Sequence, residues 1–593
     1  MISTSQEIPG KSAIVLRGDP SVIGKVASPQ GSESTSEEFT FWVPEGTIVE
    51  KTQIVRAVSD YCGQIISFHA IVDEVHRRSR RRDVLEEADR YGSDVGTRIP
   101  LDSQGITYAT AKILASVPAV MAPPREESPV YLASASEAQL AYGVERMAHP
   151  LSIGLLKNGG SAYAGSAYID LDYLLGANGA HLNVNGVSGV ATKSSFLLCV
   201  LYSLLAHCRR IQQETPSAPD RPMVVPVILN VKSTDLFWLD RWNRRYLPEE
   251  EAGVWDEMGL GRPEPFGHAR FLAPEQGAAR APVPIGRPVE SYSWSLADIV
   301  ERGLFAYLFG EEDRDDENFL GLLQDIEAFV TEETHNAGRG GRSLKSSAPS
   351  TFEKLLEWVR REAGAEDRTR ALQNHHTGTW RKFYRRLRRV VHEGEGVLVR
   401  HLESGKPLDV TADGTRDPIV IDLQSIRDLA LQRFVVAALF AQVSETRTGT
   451  DAVPNLTYLI VLDELNRFAP KGASDAITRL IEKVVSEMRS QGVILFGAQQ
   501  QASQVSPRVI ENCSIRVLGR TGSLELDQPL WSFLGRGPKR RAAALQPNEK
   551  LVYQVNFREP MQVRMPYPCW AMRRDDAKAQ STGGFDSREE WEE

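Results

Sequence analysis

Four separated stretches of this sequence hold residue types suited to phosphate chemistry. The first, residues 181–208, reads HLNVNGVSGVATKSSFLLCVLYSLLAHC. A short apolar segment enters a turn with Gly186 and Gly189, and Lys193, Ser194, Ser195 and an apolar run follow. That order predicts strand, loop and helix. Backbone groups of Gly186, Ser188, Gly189, Val190, Ala191 and Thr192, with the positive end of the helix, would wrap an anion. Lys193 would reach the outer phosphates of a nucleotide. Ser194 would hold a magnesium ion through its hydroxyl, with Ser195 completing the loop. The spacing departs from G-x-x-x-x-G-K-[ST]. Gly186 lies seven residues before Lys193, and Thr192 stands where the last glycine is expected. Alone, the stretch reads equally well as an ordinary turn into a buried helix.

The second stretch is LIVLDELNRFAP, residues 459–470. Four apolar residues deliver Asp463 and Glu464 to a strand end, where open parallel sheets bind their ligands. Asp463 suits a magnesium ion, and Glu464 suits the deprotonation of an attacking water. The third stretch is Gly497-Ala-Gln-Gln-Gln501, in which Gln499 can bond a terminal phosphate or the water. The fourth is Arg489, a guanidinium that could neutralise charge developing on a transferred phosphate; Arg516 and Arg520 compete for that role.

These groups need a sheet to carry them. At 593 residues the chain is long enough for three or four domains. With 41% hydrophobic and 25% charged residues it has the composition of globular domains with full cores. No apolar run is long enough to span a membrane, and the N-terminus lacks a signal-peptide pattern, so a cytoplasmic protein is expected. The five cysteines are scattered, without a C-x-x-C pair. A net charge of −9 argues against a globally basic DNA-binding surface but leaves room for a locally basic channel.

Short apolar segments near 13–16, 39–43, 65–72, 108–117 and 130–133, separated by turn residues, predict a small β-barrel. A basic run, residues 76–82, interrupts it and reads as a solvated hairpin tip or a contact loop. Strands are expected at 167–171, 182–185, 223–231, 419–423, 456–462, 493–497, 515–518 and 551–555. The continuous apolar run MVVPVILNV at 223–231 is typical of a strand buried on both faces. Ser474 is positioned to cap the helix before Gly492. Residues 261–288 read as irregular and 335–350 as a flexible loop. The helix at 380–392 carries Trp380, Phe383, Tyr384, Leu387 and Val391 on one face. Its other face holds Arg381, Arg385, Arg386, Arg388 and Arg389, facing either DNA or the acidic segment near 311–317. From 573 onward the composition predicts disorder.

The block from LDELNRFAP through EKVVSEMRSQGVILFGAQQQASQVSPRVIENCSIRVLGRTGS resembles HerA-like ATPases of the FtsK–HerA superfamily, the bacterial HerA-type DNA translocases. GAHLNVNGVSGVATKSS, VILNVKSTDLFWLD and the closing LQPNEKLVYQVNFREPMQVRMPYPCW are similar to the same family. The resemblance covers roughly residues 10–240 and 415–572. It implies an α/β fold: a RecA-like P-loop NTPase core at 151–240 and 411–572, an N-terminal β-barrel at 10–150 and a mainly helical insertion at 241–410. A tail at 573–593 completes the chain. It further implies ATP and Mg2+ as cofactors and a homo-hexamer with DNA in its pore. Arg489 or a neighbour would act across the subunit interface. A separately encoded nuclease-like or sirtuin-like effector is implied, plausible in anti-phage defence or DNA end processing. The competing expectations are a nucleotide-binding ring scaffold that switches an effector with little translocation of its own, and a nucleotide switch that forms no ring.

Overall fold

The computed structural model describes residues 22–79, 105–187, 193–215, 221–276, 280–310, 313, 316–336, 339–366, 370–412, 414–448, 453–473 and 475–578. The expected barrel is present. Strands β1 (Val22–Ala27), β2 (Glu38–Val43), β3 (Ile54–Tyr61), β4 (Gln64–Arg78), β5 (Ile106–Val117) and β6 (Pro129–Leu132) close in the order β1-β2-β5-β4-β3-β6. All its pairings are antiparallel, and closure removes the free edges that would otherwise pair with other chains. Along β2, Phe39, Phe41 and Val43 point into the core while Trp42 faces out. The expected strand at 13–16 lies outside the described residues. So do Arg80, Arg81 and Arg82 of the basic run. His76, Arg77 and Arg78 belong to β4 itself rather than to a hairpin tip, and His76 stacks on Tyr108 of β5 at 4.8 Å.

The rest of the chain is organised on one large sheet. In sequence order its strands are β7 (Pro150–Lys157), β8 (Tyr163–Asp170), β9 (Leu182–Asn185), β10 (Met223–Asn230), β11 (Arg270–Gln276), β12 (Ala281–Pro282) and β13 (Glu290–Tyr292). A separate hairpin, β14 (Thr331–Asn336) and β15 (Arg339–Leu344), follows. The sheet then resumes with β16 (Ile419–Asp422), β17 (Leu456–Asp463), β18 (Val493–Gln499), β19 (Ile515–Leu518), β20 (Glu549–Gln554) and β21 (Met561–Arg564). In space the order is β12-β11-β16-β10-β17-β18-β9-β19-β20-β21-β7-β8. From β11 to β19 every neighbour is parallel; beyond β19 the sheet turns antiparallel. The loop strand β9 is separated from the acid strand β17 by β18, the RecA-like arrangement expected from the sequence.

Helices cover both faces, which is why β10, β17 and β18 are almost wholly apolar and buried. Pro226 sits inside β10, yet β16 pairs with β10 only from Val227 onward, so the proline interrupts no bond on that side. The helix Lys193–Glu214 buries Phe196, Leu197, Val200, Leu201, Leu204 and Leu205 against this sheet. Each such side chain contributes about 1.5–3 kcal/mol of burial, so the loop before the helix is anchored at a rigid end. Asp475, rather than Ser474, caps the helix Ala476–Ser486 through the Ile477 and Thr478 N–H groups; Ser474 lies outside the described residues. Gly492, at φ 73°, closes the following turn in a left-handed conformation suited to glycine.

Buried His181, next to the start of β9, ties neighbouring segments together. Its Nδ1 accepts the Leu495 N–H at 2.9 Å, so Nε2–H donates to the Val485 carbonyl at 3.1 Å. Burial pushes its pKa down from 6.5 to about 4. Between those values the unfolded chain takes up a proton that the folded chain refuses, so stability falls as the pH drops through this window. The loss amounts to about 3 kcal/mol. Denaturant titrations at pH 7 and pH 4.5 should show this slope in the native chain, and His181→Gln should remove most of it.

Three segments differ from the sequence expectation. The Pro- and Gly-rich stretch 261–288 contains β11, which extends the parallel sheet through β16. Seven residues with a proline among them are enough for a strand when a neighbour supplies the ladder. The stretch 335–350 is not a loop throughout, because β14 and β15 pair from Thr331↔Leu344 to Asn336↔Arg339, with backbone pairing carrying a glycine-containing strand. Residues 573–578 are ordered by long-range contacts: Arg573 pairs with Asp235 at 3.3 Å and Ala577 bridges Asn243. Residues 579–593 lie outside the described part.

The basic helix, Thr377–Glu393, buries Trp380, Phe383, Leu387 and Val391, with Trp358 edge-on to Trp380 at 5.7 Å. Of its cationic face, Lys382 meets Asp316 at 2.9 Å and Arg386 meets Asp313 at 2.8 Å. Arg389 pairs with Glu393 at 3.0 Å. The acidic segment, not an open surface, is what Lys382 and Arg386 face.

Candidate active site

Of the side chains singled out by type, Lys193, Ser194, Asp463 and Glu464 converge at the C-terminal ends of β9 and β17, beside the ends of β10 and β18. Gly186 follows β9 and approaches the chain after β19 so closely that a Cβ there would lie 3.2 Å from the Gly519 Cα. Only glycine fits without displacing backbone. The Val187 N–H donates to the Arg520 carbonyl at 2.9 Å, which fixes the loop entrance. Ser188, Gly189, Val190, Ala191 and Thr192 lie outside the described residues. Lys193, Ser194 and Ser195 form the first turn of the helix Lys193–Glu214, at its positive end.

Lys193 is 2% exposed and donates from Nζ to the Gly186 carbonyl at 3.1 Å, reaching back to the end of β9. Glu464 Oε1 lies 4.0 Å from the same nitrogen. Burial pulls the Lys193 pKa below the ordinary lysine value, against the pull of Asp463 and Glu464. An ammonium buried this way, with a carbonyl as its close acceptor among the described residues, is suited to phosphate oxygens. Ser194 Oγ donates to Asp463 Oδ2 at 2.9 Å, so loop hydroxyl and strand carboxylate share one point. A hydroxyl and a carboxylate oxygen are hard donors of the kind magnesium takes, alongside phosphate oxygens and waters. These two residues fit the ion. Ser195 instead points to the Met572 sulfur at 3.1 Å.

Glu464 adopts φ 56°, ψ 52°, a left-handed conformation that is uncommon outside glycine and costs about 1–3 kcal/mol. The strand ends on Asp463, whose Oδ1 accepts the Glu464 N–H at 2.9 Å. This kink turns two adjacent carboxylates toward one site instead of toward opposite faces. Gln500 Nε2 donates to Glu464 Oε1 at 3.1 Å, and Lys232 Nζ lies 2.9 Å from the same oxygen. Burial raises the Glu464 pKa, but the bonds from Lys232 and Gln500 outweigh it, and the net shift is downward.

Gln499 and Arg489 do not join this cluster. The Gln499 amide is fully buried in a reciprocal pair with Asn183, at 3.0 and 2.7 Å. It ties β18 to β9, and the neighbouring Gln500 reaches the carboxylate. Side chains alternate along a strand, and the run of three glutamines hid which of them faces the site. Arg489 precedes β18, at the end opposite Gln499, about 20 Å away at the usual strand rise; within one chain it does not reach the site. Arg516 is occupied by the Glu511 carbonyl and the Phe533 ring. Arg520 is exposed beside the loop entrance. Lys232 is the residue that sequence reasoning missed. Its signal was position, immediately after the strand that neighbours the acid strand.

No protein-family profile matches this chain, and no curated protein is significantly similar to it. Among solved structures, the chain is similar to VirB4 of Thermoanaerobacter pseudethanolicus, at 13% identity and a TM-score of 0.41, covering 71% of this chain and 97% of that one. It is similar to the bacterial conjugative coupling protein TrwB in complex with ADP and Mg2+, at 12% identity and a TM-score of 0.39, covering 67% and 87%. It is also similar to the genome packaging NTPase B204 from Sulfolobus turreted icosahedral virus 2 in complex with AMP, at 13% identity and a TM-score of 0.20, covering 26% and 68%.

Proposed function

We propose that this chain hydrolyses ATP with Mg2+ and works as a ring motor on DNA, in the service of a separately encoded effector. The observation that carries the reading is the meeting of Lys193, Ser194, Asp463 and Glu464 at the ends of two strands separated by one. Lys193 and the helix N-terminus bind phosphate, and Ser194 and Asp463 hold the ion. Bound there, magnesium supplies charge neutralisation at the phosphates. Glu464 accepts a proton from water as the water oxygen bonds to the terminal phosphorus. The bond from that phosphorus to the bridging oxygen breaks, leaving ADP and phosphate.

Lys193 and Lys232 together balance Asp463 and Glu464, so the site has no surplus positive charge for a triphosphate. Arg489, too distant in its own chain, suits delivery from a neighbouring subunit, as a ring would allow, and the homo-hexamer follows from the family resemblance. Ordinary DNA pumping, a nuclease-like or sirtuin-like effector, and a role in defence or end processing follow from the family resemblance.

A second reading is a nucleotide-binding scaffold that hydrolyses slowly; it is favoured by the pairing of both site carboxylates with Lys232. Hydrolysis assayed with and without duplex and single-stranded DNA, alongside particle mass with ATP, separates the two. The motor reading expects ATP-dependent hexamers whose turnover DNA accelerates. Hexamers indifferent to DNA would leave the scaffold standing, and a monomer under all conditions would remove both.

A further inference from the structure

The turn after β10 is built to hold one side chain still. Asn230, buried at the strand end, accepts the Lys232 N–H at 3.2 Å and donates to the Ser233 carbonyl at 2.8 Å. Ser233 at φ 46° and Leu236 at φ 68° both take left-handed backbone, which side chains other than glycine rarely adopt. The Leu236 N–H donates to the Met572 carbonyl at 2.7 Å, and Asp235 pairs with Arg573. The C-terminal segment thus clamps the turn, while the Met572 side chain touches Ser195 of the phosphate helix.

The clamped turn presents Lys232. Its Nζ lies 2.9 Å from Asp463 Oδ2 and 2.9 Å from Glu464 Oε1. Asp463 Oδ2 also accepts the Ser194 hydroxyl, so the ammonium sits on the oxygen that a divalent ion would claim. Two cations cannot crowd one carboxylate oxygen without strong repulsion. An ion taken up there leaves the ammonium only Glu464, unless a phosphate comes with it. The ammonium already lies beside Glu464, the group that faces the attacking water and hence the terminal phosphate. Its side chain is one-third exposed, with room to shift by one acceptor.

We propose that Lys232 is the specificity-determining cation for the terminal phosphate. In the nucleotide-free site it holds Asp463 and Glu464. When a magnesium triphosphate binds, its hydrogen bonds pass to terminal phosphate oxygens, Asp463 is left to the ion, and Glu464 is left to the water. A magnesium diphosphate brings no such acceptor, so Lys232 gives up Asp463 to the ion but stays on Glu464, and the general base stays neutralised. The inference rests on the nucleotide reading of the Lys193 loop.

The test is Lys232→Met, which keeps side-chain bulk and removes the charge. Equilibrium binding of ADP and of a non-hydrolysable ATP analogue, both with magnesium, is compared with the parent chain. Mn2+ binding without nucleotide is followed by electron paramagnetic resonance. ADP affinity should not fall while affinity for the analogue falls about tenfold, the scale of one charge-assisted bond. Mn2+ alone should bind more tightly, since its carboxylate is freed. Equal changes for both nucleotides, or unchanged Mn2+ binding, overturn the proposal. Should Lys232→Met fail to fold, Lys232→Gln is read by the same ratio. Lys193→Ala serves as the reference: if it retains both nucleotides, the nucleotide reading itself fails, whatever Lys232 does.

Discussion

Glu464→Gln is expected to lower single-turnover ATP hydrolysis by about a thousandfold while leaving ATP affinity nearly unchanged. General-base catalysis contributes typically about 10²–10⁴-fold, and an amide has the shape of the carboxylate without its basicity. The substitution leaves Lys193, Ser194 and Asp463 untouched, so the groups that bind phosphate and metal remain. It also preserves the partner of Gln500, since an amide oxygen still accepts a hydrogen bond. The left-handed backbone at residue 464 belongs to the turn rather than to the side-chain charge, so the fold should tolerate the change. One effect runs the other way. Without the carboxylate, Lys232 loses one of its two anionic partners and is held less firmly, which favours triphosphate binding. Trapping of ATP with no turnover is therefore the expected phenotype, measured by quenched-flow hydrolysis beside equilibrium binding. Hydrolysis at the parental rate would show that another group takes the proton and would remove Glu464 from the role.

Much of this site was legible because its chemistry is tied to strand ends. The apolar residues before Asp463 marked the strand and the end at which its carboxylates emerge, though not the left-handed kink that aims them together, and the run at 223–231 announced a central strand. What stayed hidden depends on contacts that a single sequence does not encode locally. Gln499 and Gln500 are chemically identical, and only the pairing of β18 with β9 decides that Gln499 is locked against Asn183. Lys232 carries no motif of its own, and its meaning comes from β10 lying beside β17. The strand Arg270–Gln276 was masked by prolines and glycines around it, because its stability comes from β16 and not from local propensity. The order of residues 573–578 comes from Asp235 and Asn243, more than three hundred positions away. By contrast, the basic helix declared its buried face by spacing; for its charged face the sequence left DNA and the acidic segment open, and Lys382 and Arg386 meet Asp316 and Asp313 of that segment.

Lys193→Ala should abolish measurable nucleotide binding, a loss of affinity greater than about a hundredfold for both ATP and ADP. Among the described residues the buried ammonium has one neutral hydrogen-bond acceptor, the Gly186 carbonyl at 3.1 Å, and Glu464 at 4.0 Å. A buried charge so thinly compensated is costly, and its pKa is drawn down accordingly. Phosphate oxygens repair that deficit, with charge-assisted bonds worth about 1.5–3 kcal/mol each. Two such bonds give the expected loss of affinity. Removing a poorly compensated charge should leave the nucleotide-free fold no less stable, apart from the unsatisfied Gly186 carbonyl, so the melting temperature without nucleotide should change little. The stabilisation that ATP confers on the parent chain should vanish in the variant, because ligand stabilisation follows occupancy. A variant that melts normally and still gains stability from ATP would mean that the stretch from Gly186 to Ser195 is not the phosphate site. A variant that melts normally and gains nothing would fix the phosphates at Lys193, despite a loop whose spacing and missing glycine depart from the usual pattern.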